Sequence, residues 1–143
     1  MITQYKVCSN FVIMNGNKVL LQKRKNTGYQ DGMWALVGGH IEDRESVFQA
    51  TKREAKEELG IDVELNDMEI VHCIQLKTNK DYIHYFVMIK KFKGIPKIIE
   101  TDKADDLRYF DLNELPDNVA PSDRQGLEAI NKGIRFSIFG FGE

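Results

Sequence analysis

Apolar positions in this chain fall into short blocks separated by turn-forming and charged segments. Residues 7–14 and 18–22 are aliphatic and β-branched, and Asn15-Gly16 lies between them. That dipeptide favours a tight turn, so the pair predicts a β-hairpin. Residues 23–28 read as a basic loop, and residues 33–37 as a strand or extended segment ahead of a Gly38-Gly39 loop. The clearest helix is predicted over 46–59. Ser46 and Gln49 have capping-box spacing, and Gly60 stands where a helix stops. Further strands are predicted at 70–77, 82–92 and 107–110. A last helix is predicted at 122–132, opened by another Ser-x-x-Gln cap, and the phenylalanines of the tail 135–143 are expected to pack in the core. The order of strands, helix, strands and helix predicts an α/β (α+β) class, an α/β/α sandwich with a mixed sheet between helices. No repeat or linker divides the chain, so residues 1–143 read as a single domain.

On a helical wheel with Val47 at zero and about 100° per residue, Val47, Phe48, Thr51, Ala55 and Leu59 cover roughly 0–120°. Lys52 and Lys56 fall beyond them. Glu54, Glu57 and Glu58 fall at about 340°, 280° and 20°, a narrow arc beside the apolar stripe. Like charges so placed repel one another. A divalent cation reverses the sign, and Mg²⁺ or Mn²⁺, which prefer oxygen ligands, suit the set. The alternative is a solvated acidic helix with Lys52 and Lys56 as partners.

Charge and cysteine content narrow the possibilities. The 143 residues carry 20 Lys+Arg and 22 Asp+Glu, a formal charge of −2, which provides no basic field for duplex nucleic acid or an anionic membrane. Apolar residues make up 42% and charged residues 29%, as in globular domains rather than disordered chains. Cys8 and Cys73 are the only cysteines and have no partners at metal-ligand spacing, which argues against a disulfide scaffold or a structural zinc site. With no secretory leader pattern and no membrane-length apolar run, a cytoplasmic setting is expected.

The glutamate helix belongs to a longer pattern. Gly39 is followed after five residues by Glu45, and after seven more by Arg53-Glu54-Ala55-Lys56-Glu57-Glu58-Leu59-Gly60-Ile61. This resembles the signature of the Nudix hydrolase family at every fixed glycine and charged position, and the resemblance extends over the whole chain. Two positions depart from the common pattern: Arg44 stands where many members have glycine, and Val37 where many have proline.

The resemblance implies a hydrolase that cleaves the diphosphate linkage of a nucleoside diphosphate joined to another group, with a metal-activated water as nucleophile. It implies Glu57 and Glu58 as metal ligands, Glu54 as a third ligand or the base, and the Gly39 carbonyl as a further ligand. Arg53 would hold Glu54 in place, and Glu45 would brace the loop. Glu100 is the candidate for an additional carboxylate, with Asp102, Asp105 and Asp106 as rivals. Arg24, Gly38, Gly39 and His40 are candidate substrate contacts. Trp34, His72 and His84 are expected to be structural, and Lys90, Lys91, Lys93 and Lys97 to solvate an edge strand.

A small nucleotide is the expected partner, a nucleoside triphosphate first, with a homodimer compatible with the family. Competing readings are a non-catalytic nucleotide-binding module, a diphosphate isomerase on the same fold, and a hydrolase of RNA 5′ ends.

Overall fold

The computed structural model describes residues 1–142; Glu143, the end of the tail, lies outside the described residues. Its strands are β1 (Lys6–Val12), β2 (Met14–Asn15), β3 (Lys18–Arg24), β4 (Trp34–Ala35), β5 (Gly38–His40), β6 (Met68–Lys77), β7 (Asp81–Ile89), β8 (Ala104–Asp111) and β9 (Phe136–Phe139). The helices are α1 (Val47–Leu59) and α2 (Pro121–Asn131).

Two sheets form. One has five strands in the order β5-β1-β7-β6-β9, with β1–β7 and β6–β9 parallel and the other pairs antiparallel. The second is built on β3, which pairs with β8 on one side and with β2 and β4 on the other. The expected sandwich is therefore present, with a second sheet beside it. The predicted hairpin is much shorter than expected: only Met14–Asn15 pairs with Lys18–Val19. The body of β1 turns away to pair with β5 and β7, because it is apolar or small on both faces and fits a sheet covered on both sides. The Gly38-Gly39 segment, expected as a loop, is β5, an edge strand.

Alternation along β1 and β7 gives the sheet two apolar faces. Phe11 and Val87 pack with Ala55 and Leu59 of α1. Val12 and Phe86 pack with Leu127 of α2. A Cβ at Gly126 would lie 2.3 Å from Phe86 Cζ, so only glycine lets α2 come this close to the sheet. Trp34 is buried as expected and meets Phe110 edge-on at 4.7 Å. His72 is buried, with its ring nitrogens 2.7 Å from the Ile134 carbonyl and 2.8 Å from Ser137 Oγ.

The first helix starts as predicted. Ser46 Oγ accepts from Gln49 N, and Gln49 Oε1 accepts from Ser46 N. The second Ser-x-x-Gln does not act as a cap. Helix α2 begins at Pro121 with Ala120 as N-cap, so Ser122 lies inside the first turn and is buried. The tail phenylalanines also differ from expectation. Phe139 packs on the core, but Phe136 and Phe141 are exposed because β9 is an edge strand. Among the described residues, no helix is long and apolar enough to cross a membrane.

Candidate active site

Between the five-stranded sheet, α1 and the loop after β3 lies a cleft of about 820 Å³. Its acidic end is built by α1. Arg53 donates through Nε and Nη2 to the two oxygens of Glu45, at 2.7 and 2.9 Å. Its Nη1 donates to Glu54 at 2.8 Å and to Glu57 at 3.3 Å, and Nη2 also reaches the His40 carbonyl at 3.2 Å. One guanidinium thus ties the loop, the β5 edge and the helix together through charge-assisted bonds. Glu45 closes the loop by accepting from Glu42 N, and its carboxyl is pulled down to about 2, chiefly by the bond from Arg53. The loop that it closes also holds Arg44 at φ 65°, a left-handed conformation that favours glycine.

Four glutamates line the cleft: Glu42 from the loop before α1, Glu54 and Glu58 of α1, and Glu100. Burial pushes Glu54 above the usual carboxylate range. Glu58 is pushed up to about 7 by burial and then by the neighbouring Glu100 carboxylate. Glu100 is paired in turn with Lys103 at 3.3 Å. Of its rivals, Asp106 is tied to Arg108 at 2.7 Å, while Asp102 and Asp105 are exposed and do not line the cleft. Glu57 lies outside the group: its side chain is 54% exposed and turned to Arg53. Gly39 lies under the Glu54 carboxyl, and Gly38 and His40 line the cleft beside it.

A carboxylate group that raises its own proton affinity and borders a backbone edge without side chains fits a hard cation with oxygen ligands. Among the described residues, no three acidic, histidine or cysteine side chains stand close enough to form a closed metal cluster. The carboxylates form an open rim rather than a closed cage.

The other end of the cleft is mixed in character. Arg24 lines it, with Nε donating to the Tyr29 carbonyl at 3.0 Å and Nη2 to Thr27 Oγ1 at 3.2 Å, so its guanidinium shapes the loop around Tyr29. Asp123 of α2 is buried at the cleft wall; its Oδ2 accepts from Leu36 N at 2.9 Å, and burial raises its pKa to about 6. His84, Asn10 and Tyr82 line the sheet side. None of these but Arg24 was expected from the sequence, and His84 was expected to be structural. Its alternation with Tyr82 and Phe86 was legible, but nothing in the chain marks that face as open at one end.

A family model for the NUDIX domain matches residues 5–130. The chain belongs to the NUDIX family. It is 34% identical to an ADP-ribose pyrophosphatase of Methanocaldococcus jannaschii over 73% of its own length, and that match spans 61% of the relative. It is 27% identical to an 8-oxo-dGTP diphosphatase of Buchnera aphidicola, over 71% of this chain and 79% of that one. Among solved structures, a MutT NUDIX hydrolase from Burkholderia pseudomallei superposes with a TM-score of 0.80 at 29% identity, covering 87% of this chain and 97% of that chain. The divalent cation that the acidic rim fits is in keeping with membership of the NUDIX family.

Proposed function

We propose that this NUDIX protein is a cytoplasmic, Mg²⁺-dependent nucleotide pyrophosphohydrolase, and that its substrate is a nucleoside triphosphate. The observation that carries the reading is that Glu54, packed against Gly39, shares one cleft of nucleotide size with Glu58 and Glu100. The expected motif roles are kept with one change of emphasis. Glu54, Glu58 and the Gly39 carbonyl would hold the ion, with Glu57 a further candidate ligand. An ion held there would supply charge neutralisation for the phosphates and activation of the attacking water. Glu100, which lines the cleft beside Glu58, is the proton acceptor for the attacking water. Arg53 keeps Glu54 and Glu45 in register through its four short bonds to them and to the β5 edge. Arg24 borders the phosphate path while holding the Tyr29 loop.

The test is a phosphate-release screen with Mg²⁺ or Mn²⁺ over nucleoside triphosphates, ADP-ribose, nucleotide sugars and 5′-triphosphorylated RNA. Inorganic pyrophosphatase or alkaline phosphatase is added in parallel to identify the product. Metal-dependent release of pyrophosphate from a triphosphate, abolished by chelator, is the expected result. Turnover of only ADP-ribose or RNA ends would change the substrate class. Silence across the panel, with metal still bound, would favour a binding module.

A further inference from the structure

The sheet face that borders the cleft carries a histidine whose ring proton is fixed by a neighbour. His84 of β7 lies opposite Cys8 of β1, and Cys8 lies opposite His40 of β5. Opposed residues share one face of a sheet. His84 is therefore two strands in from the β5 edge, about 10 Å at the usual strand spacing. Asn10, two residues after Cys8 on the same face, places Nδ2 3.1 Å from His84 Nδ1. An amide nitrogen only donates, so Nδ1 accepts and the neutral ring carries its proton on Nε2. Burial, and then His40, push the imidazole down to about 4, so the ring is neutral at physiological pH. No buried polar side-chain atom among the described residues lacks a partner, and Nε2 makes no hydrogen bond to them. The Nε2–H therefore opens on the cleft that His84 lines. Tyr82 supports the ring edge-on at 5.6 Å.

We propose that His84, held as the Nε2–H tautomer by Asn10, determines which base the enzyme accepts by donating a hydrogen bond to an acceptor on the base edge. The inference rests on the nucleotide reading above. A neutral donor adds little to phosphate binding, which the acidic rim and its cation serve at the β5 edge. Its distance from that rim suits the other end of a nucleotide. A partly desolvated donor also discriminates: a base that leaves it unpaired loses the donor's hydration and gains nothing in return. Asn10 is a positioning residue, acting through the imidazole.

Binding is measured by calorimetry on the whole chain with Mg²⁺, using α,β-methylene analogues of ATP, GTP, CTP and UTP and inorganic tripolyphosphate. The wild-type protein is expected to prefer one base by about tenfold or more, the scale of one well-made hydrogen bond. His84→Phe, which keeps a flat ring but removes the donor, is expected to bring the four analogues within about threefold and leave tripolyphosphate unchanged. Binding of the analogues by His84→Phe with the wild-type order and spread would overturn the proposal. Failure of the wild type to bind any analogue would instead overturn the nucleotide reading on which it rests. Ring ¹⁵N spectra provide a readout independent of ligand. Free wild-type protein should show a protonated Nε2 and an unprotonated Nδ1, and Asn10→Ala should mix the two tautomers. A protonated Nδ1 in the free wild type would also overturn the proposal.

Discussion

A Cβ placed on Gly39 would stand 2.4 Å from Cδ of Glu54 and under 3 Å from both its oxygens. The glycine at position 39 is thus explained by contact. The backbone of β5 and a glutamate of α1 occupy adjoining space, and only a residue without a side chain lets both stay. Gly39→Ala is expected to push the Glu54 carboxyl off the strand and break its 2.8 Å bond with Arg53. The turnover number should fall by about 100-fold or more, since displacements near 1 Å cost that much in a preorganised site. The melting temperature should fall only modestly, because an edge strand can yield. A rate within a few-fold of wild type would show that Glu54 works equally well elsewhere.

Two adjacent glutamates should behave differently. Glu58 lines the cleft beside Glu100, whereas Glu57 is more than half exposed and turned to Arg53. Glu58→Gln is therefore expected to lower kcat by roughly 1,000-fold, and Glu57→Gln by roughly tenfold, the range separating a group in the charged site from one beside it. Steady-state kinetics with Mn²⁺ titrations of both variants test this. Equal losses would show that Glu57 leaves Arg53 and joins Glu58 in the loaded site. Glu58→Gln should keep or raise the metal-free melting temperature, because it removes a buried charge repelled by Glu100.

Asp123 should produce a stability effect of unusual sign. Its folded-state pKa is raised from 3.8 to about 6 by burial. A carboxyl with a raised pKa destabilises the fold when ionised, so its cost is fully present above about pH 6 and disappears as pH falls towards the unfolded value. Asp123→Asn keeps an oxygen to accept from Leu36 N while removing the charge. It is expected to raise stability at pH 7.5 by up to about 3 kcal/mol, at 1.36 kcal/mol per pKa unit, and with it the melting temperature. The gain should vanish below pH 4. Thermal unfolding of both proteins across pH 4–8 measures it, and a gain independent of pH would assign the effect to packing. A buried charge kept at such a cost, in a cleft wall, fits a role in substrate binding.

The helix α1 shows where the limit of sequence reading lies. Its start, its stop and its apolar stripe are local properties: a capping box, a left-handed glycine and a 3.6-residue period. All were legible, as was the order of its glutamates. The wheel treated the three glutamates as one arc, because the buried stripe was drawn from the larger residues. Ala50 is also fully buried. It lies near 300° on that wheel, which widens the buried arc to include Glu54 and Glu58 and leaves Glu57 at its rim. A small residue carries too weak a hydrophobic signal to reveal this in advance.

Long-range pairing was the other gap. The Asn15-Gly16 turn forms, yet β1 finds its main partner more than 70 residues away in β7. A local turn signal says that the chain reverses, not which strand will cover an apolar segment. The same is true of the cleft's mixed end: Asn10, His84 and Asp123 come from β1, β7 and α2 and carry no shared spacing.

By itself, then, the sequence determined the α/β class, the glutamate helix and the chemistry its carboxylates can perform, because these depend on residue type and short-range periodicity. The tertiary structure alone decided which glutamates face the cleft, which histidine presents a proton to it and which aspartate is buried in its wall. Those properties arise from the packing of distant strands and helices, whose free energy is shared among contacts that no local pattern records.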